Sequence, residues 1–327
     1  MRRLVLILTC AIFLVSATAG AQRILSMATL APSGSTWMRV FDAMNRELRR
    51  RTAQQVSFRW YAGGVQGDEA EVVRKIRSGR LDGGAMTAVG LGQIHRPALA
   101  FQVPGLFQNP AVQVARARET LRPQLEGAFE AAGFQLLSFG TAGAPRLMSR
   151  RVIRVPNDLR AAHPWAWRDD VIGPALYQEA GATAVPLQLP EVLSALQTNR
   201  IDTIIAPPLA AVALQWSSQI THMSERSNAA SLGGLVLSRA QFQSLTPEQQ
   251  TILREVMNQY SVLLARNVGN DDNAAATTLQ TRGVQVIALN DGERAQWTAL
   301  FSRVRTRLVG TVGDAAWIAR VQAAGGN

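Results

Sequence analysis

The alternation of two periods is the strongest constraint on what this chain can fold into. Short apolar, strand-like segments give way repeatedly to segments whose apolar residues recur at helical spacing, the mark of α/β architecture rather than of separate all-α and all-β units. Residues 23–30 read as a strand and 31–35 as a turn, after which Trp37, Val40, Phe41, Met44 and Leu48 fall on one helical face. A second strand spans 56–61, and Asp68 with Glu71 forms the expected capping box of a helix carrying Val72, Val73 and Ile76. Residues 81–89 read as a third strand running into a glycine turn, Gly90-Leu91-Gly92, and a helix over 110–132 leads to a strand at 134–139. The small residues of 140–145 predict a crossing into a second unit, with strands at 147–152, 162–167, 184–189 and 201–206. The adjacent acids Asp169-Asp170 and Asp271-Asp272 read as solvated faces, because neighbours on a helix point apart.

A chain of 327 residues exceeds the roughly 250–300 at which one hydrophobic core stops growing, so two lobes are expected. The strand at 229–238 is expected to return to the first lobe. Thr246-Pro247-Glu248-Gln249 then supplies a cap, a first-turn proline and a capping-box glutamine for a helix that meets no breaker before Gly283. Such a helix exceeds about 45 Å at 1.5 Å per residue, enough to brace both lobes. The expected division is a first lobe of residues 22–143 plus 230–270 and a second of residues 144–229 plus 271–327.

Arg2 and Arg3, the apolar run Leu4 to Val15 and the small residues of 16–21 predict a secretory signal peptide over 1–21, cleaved near Ala21. The apolar run is shorter than the roughly 20 residues of a membrane-spanning helix. Cys10, the one cysteine, lies inside it, so the exported chain is expected to carry neither thiol nor disulfide. The net charge of +11 is almost entirely arginine, Lys75 being the sole lysine, and the arginines are dispersed without interleaved aromatics, which argues against nucleic acid. His95, His163 and His222 lie far apart with no partner at metal-ligand spacing. No P-loop, nucleophile elbow or dinucleotide turn is present, so no metal, cofactor or catalytic residue is expected and an enzyme is disfavoured.

Four runs occur in an order that resembles a known family: Ala31-Pro32-Ser33-Gly34-Ser35-Thr36-Trp37, Gly63-Gly64-Val65-Gln66-Gly67-Asp68-Glu69, Pro156-Asn157-Asp158-Leu159-Arg160, and Glu191-Val192-Leu193-Ser194-Ala195-Leu196-Gln197-Thr198-Asn199-Arg200-Ile201-Asp202. Together they look like the DctP-type binding proteins of TRAP (tripartite ATP-independent periplasmic) transporters, and the similarity covers nearly the whole exported chain. The resemblance implies a two-lobed periplasmic binding-protein fold, type II-like, with a long helix braced across both lobes. It also implies a small-molecule ligand in the cleft and delivery to TRAP membrane subunits driven by an ion gradient.

Where the family usually places a carboxylate-gripping arginine shortly after the Asp-Leu motif, this chain has Trp165. Thr203-Ile204-Ile205-Ala206 replaces a run that is often polar, and Thr87 stands where sugar-acid binders carry glutamate. Trp165-Ala166-Trp167-Arg168-Asp169-Asp170 is similar to a branch with a Trp-x-Trp-x-x-Asp segment, whose members take hydrophobic ligands and work with a tetratricopeptide-repeat partner. Trp165 and Trp167, two apart on a strand, face one side, and each indole N–H can donate one hydrogen bond. The expected ligand site therefore comprises Trp37, Trp165 and Trp167, the turn around Met86, Thr87 and Gly90, and Ala206, Pro207 and Pro208 from the facing strand end. Arg146 or Arg168 is expected to hold an acidic headgroup. The alternative is a dicarboxylate or keto-acid binder that uses Arg146 and Arg168 together.

Overall fold

The computed structural model describes residues 22–225 and 229–326; the expected signal peptide lies outside the described residues. The first lobe opens with β1 (Arg23–Thr29), α1 (Thr36–Arg51), β2 (Val56–Tyr61), α2 (Glu69–Arg77), β3 (Gly83–Thr87), α3 (Ala88–Ile94), α4 (Pro110–Ala131) and β4 (Phe134–Thr141). The second follows with β5 (Arg146–Ser149), β6 (Trp165–Trp167), α5 (Ile172–Ala180), β7 (Val185–Leu187), α6 (Val192–Gln197), β8 (Thr203–Ala206), α7 (Pro208–Ala213) and β9 (His222–Ser224). The chain then runs through β10 (Leu232–Ser238), α8 (Arg239–Gln243), α9 (Pro247–Thr281), β11 (Gln285–Ile287), α10 (Asp291–Leu308) and α11 (Ala315–Ala324).

Two β-α-β units place β2, β1 and β3 side by side and parallel, and β10 closes the first sheet antiparallel between β3 and β4, in the order β2-β1-β3-β10-β4. The second sheet runs β11-β9-β5-β8, with the short parallel pair β6-β7 joined to it through a bridge between Pro164 and Thr203. Leu25, Met27, Phe41, Leu48 and Val256 fill one side of the first sheet; Met148, Leu187, Leu196, Ile204 and Trp216 form the second lobe's core. The chain is thus a two-lobed α/β protein, as its alternation predicts.

The lobes join where the segment after β4 and the segment before β10 run together: Ala142 N–H donates to the Ser231 carbonyl at 2.6 Å and Ser231 N–H to the Gly143 carbonyl at 3.0 Å. Gly143 sits at φ +127°, and a Cβ there would lie 2.7 Å from Pro207, so only glycine suits the crossing.

Helix α9 is 35 residues long, with the expected Thr246 and Gln249 capping box. It packs on α1 in the first lobe and α7 in the second. The acids Asp271 and Asp272 do point apart, Asp271 to a partly solvated face and Asp272 into the interior. Asp271 accepts from the Thr36 hydroxyl at 2.6 Å and pairs with Arg39 of α1. Asp272 is buried and accepts from Leu209 N–H at 2.9 Å and Ala144 N–H at 3.0 Å, and burial pushes its carboxyl above the usual range. Each lobe is tied to α9 by one of the two.

Other local expectations are corrected. Gly90-Leu91-Gly92 is not a turn but lies inside α3, whose N-cap is Thr87. Asp68 does cap α2, but Glu71 pairs with Arg74 instead of completing a capping box. Asp170 is not a solvated residue of a helix face; its carboxylate caps α5 by accepting from Val171, Ile172 and Gly173. At the C-terminal end, α10 packs on α5 while α11 returns to α4 and to the turn between α3 and α4, where the Trp317 indole donates to the Pro97 carbonyl at 2.8 Å.

Candidate functional site

A cavity of about 290 Å³ lies between the lobes. Its first-lobe wall is made by the C-terminal ends of β1, β3 and β4, the edge where open α/β sheets present their loops to ligands. Its second-lobe wall is made by β6, the end of β8, the start of α5 and Trp216.

Seven of the expected residues line it: Trp37, Met86, Thr87, Trp165, Trp167, Ala206 and Pro207. The rings of Trp165 and Trp167 lie 5.7 Å apart, tilted by 30°, and Trp216 meets Trp165 edge-on at 5.5 Å. The indole N–H groups of Trp165 and Trp167 are not free for a ligand. Trp165 donates to the Leu187 carbonyl at 3.1 Å, within its own lobe. Trp167 donates at 2.9 Å to Asp68 across the cleft.

Gly90, Arg146, Arg168 and Pro208 do not line the cavity. Gly90 is part of α3 and gives its N–H to Glu69. Pro208 is buried in the first turn of α7. Arg168 is exposed and paired with Glu191. Arg146 sits opposite Ala206 in the β5–β8 ladder, and its charge acts on Asp272 of α9.

Four titratable lining residues are not expected from the sequence: Glu69, Arg118, Asp170 and Tyr177. Glu69 is 2% exposed and accepts from Thr87 N–H at 2.7 Å, the Thr87 hydroxyl at 2.8 Å and Gly90 N–H at 2.7 Å. Burial pushes its carboxyl up to about 7, with the Asp68 charge adding to the rise and the three hydrogen bonds offsetting only part of it. A carboxylate therefore stands against Thr87 after all, supplied by α2. Burial likewise raises Asp170, against the pull of its three N–H donors, and raises the Tyr177 hydroxyl beside it. Glu69 and Asp170 occupy the N-terminal ends of α3 and α5, the positions that would otherwise attract a ligand anion. Arg118 had a sequence signal: it lies four residues after Val114 and three before Leu121, on the face of α4 that is buried.

The lobes are fastened across the cleft by one carboxylate. Asp68, 3% exposed, uses one oxygen on its own helix and the other on the second lobe, accepting from Trp167 Nε1 at 2.9 Å and Leu189 N–H at 3.2 Å.

A family model, bacterial extracellular solute-binding protein, family 7 (DctP), matches residues 27–309. The 2,3-diketo-L-gulonate-binding periplasmic protein YiaO of Escherichia coli is 23% identical over 280 residues, 83% of each chain. A TRAP periplasmic solute-binding protein from Desulfovibrio salexigens with bound orotic acid superposes with a TM-score of 0.86 at 16% identity, over 93% of this chain and 99% of its own. The sugar acid binding protein DctPAm from Advenella mimigardefordensis, in complex with galactonate, gives 0.87 at 14% identity over 94% and 98%. With the motifs, the two-lobed fold and the interlobe cavity in agreement, the chain belongs to the DctP family of bacterial extracellular solute-binding proteins.

Proposed function

We propose that this protein captures a small organic ligand with a predominantly apolar, ring-bearing body between its lobes in the periplasm and passes it to the membrane subunits of a TRAP transporter. The observation that carries this reading is the cavity wall. Trp37, Phe41, Trp165, Trp167 and Trp216 line it, two of the indole N–H groups are already bonded within the protein, and both neighbouring helix ends are filled by Glu69 and Asp170. A ligand rich in hydroxyl groups or carboxylates would leave many of its polar atoms unpaired there, at about 1–3 kcal/mol each. An apolar body burying roughly 200 Å² would gain about 5 kcal/mol.

Relatives whose names give their ligands bind small organic acids, among them 2,3-diketo-L-gulonate, orotic acid and galactonate. This chain has Trp165 in place of the arginine expected to grip such acids, and neither Arg146 nor Arg168 lines the cavity. Binding proceeds by closure: the ligand fills the open cleft, and the Asp68 contacts to Trp167 and Leu189 form as the second lobe swings in. Release requires a partner that favours the open state, because the ligand by itself favours the closed one.

A thermal-shift screen tests the reading. Ring-bearing, largely apolar compounds are expected to raise the melting temperature, whereas galactonate and succinate leave it unchanged. Stabilisation by the sugar acid or the dicarboxylate alone would overturn it.

A further inference from the structure

Arg118 is the only Lys, Arg or His among the described residues lining the cavity. It projects from α4 onto the end of β4, where Nη1 donates to the Phe139 carbonyl at 2.9 Å and Nη2 pairs with Glu119. Its Nε is sealed from solvent and bonds to nothing among the described residues. These two bonds leave three of the five guanidinium N–H donors without a protein acceptor. The sealed Nε–H without an acceptor costs free energy at rest, and the cavity that Arg118 lines is where a ligand can supply one.

The floor beside it is built for that approach. Gly140 has no side chain, and a Cβ there would come within 3.2 Å of Nη1. Gly140 pairs with Gly233, which pairs in turn with Thr87. Arg118 and the Thr87–Glu69 cluster thus stand two strand spacings apart, about 10 Å, with the Ala142 side chain lying over Gly233 between them. Glu69 and Asp170 already take the N–H donors at the starts of α3 and α5, so the cavity is one-sided: acids toward α3 and α5, a single cation toward β4. Ser138, next along β4, adds a hydroxyl to the wall near Arg118.

Building on the apolar-ligand reading, we propose that Arg118 anchors one carboxylate, so that the cargo class is hydrophobic monocarboxylic acids with a ring-bearing body directed at the tryptophans. Dicarboxylates are disfavoured by the same layout, because no second cation among the described residues lines the cavity to pair with another carboxylate. The anchor is on the first lobe, in α4, and not on the second-lobe strand that carries Trp165.

Calorimetric titration with benzoate, 3-phenylpropanoate and 4-phenylbutanoate, each beside its alcohol analogue, tests this in wild type, Arg118→Met and Arg118→Lys. At least one acid is expected to bind wild type ten-fold or more tightly than its alcohol. Arg118→Met, which keeps the apolar stem, reduces that acid to its alcohol's affinity and leaves the alcohol unchanged, and Arg118→Lys retains part of the preference. An acid preference that survives in Arg118→Met, or in Arg118→Lys undiminished should the methionine variant not fold, overturns the anchor. Equal binding of acids and alcohols by wild type overturns it too while leaving the apolar cleft standing. Binding of neither set removes the apolar cleft itself, and the anchor with it.

Discussion

Single residues carry the site's electrostatics, and Glu69 is the clearest case. In the unfolded chain its carboxyl titrates near 4.3, but burial holds it at about 7 in the folded protein. Between those values the folded state keeps a proton that the unfolded state has lost, so this group's contribution to stability falls as pH rises from about 4 to 7 and is flat above. The loss amounts to roughly 4 kcal/mol. Glu69→Gln should flatten that part of the stability-versus-pH curve in urea titrations; an unchanged slope would show that Glu69 is not its source. Trp165 presents a different problem, because it is packed into the second lobe's core as well as facing the cavity. Trp165→Ala is therefore expected to lose about 3–5 kcal/mol of stability along with affinity. Trp165→Phe separates the roles, keeping a ring in the wall while giving up the bond to Leu187. The tryptophans were legible as a pair because strand period puts Trp165 and Trp167 on one side. Their spent N–H groups were not, since the acceptors Leu187 and Asp68 lie 22 and 99 residues away.

At the scale of elements, cleft and brace are held by few contacts, each of which can be cut. Trp167→Phe removes the indole bond to Asp68 but leaves Asp68 free to cap α2, so it should shift the unliganded protein toward an open form without a large loss of stability. Small-angle scattering reads this as an increased radius of gyration; a value equal to wild type would remove the bond from the closure. Gly143→Ala forces a side chain onto a backbone at φ +127° and into Pro207, and is expected to cost about 1–3 kcal/mol in chemical denaturation. Most elements followed from local pattern: the alternation, the Thr246 cap and the absence of any breaker up to Gly283 located β1, β2, α1 and α9. What misled was chemistry satisfied at long range. Gly90 and Gly92 read as a turn because glycine punctuates loops, yet α3 uses them for close packing, with Met86 and Leu99 where Cβ atoms would stand. Asp272 read as solvated because its acceptors' partners, Ala144 and Leu209, belong to the lobe crossing and the second lobe.

For the whole molecule, two sheets, the paired crossing segments, one brace and a C-terminal return to the first lobe give a cleft whose wall is aromatic and whose charges are mostly neutralised from within. Family membership and fold could be read from ordered motifs, because those motifs sit at turns and caps that build the lobes. Cargo selection could not, because it depends on which of the 34 Lys and Arg residues reaches the cavity, and folding brings in Arg118 rather than Arg146 or Arg168. The central claim is that this cleft selects an apolar, ring-bearing body. Native mass spectrometry of the protein purified from its own periplasm, followed by denaturing extraction and identification of what is released, tests it most directly. The account predicts a hydrophobic, ring-bearing molecule; recovery of a sugar acid or a small dicarboxylate would contradict it.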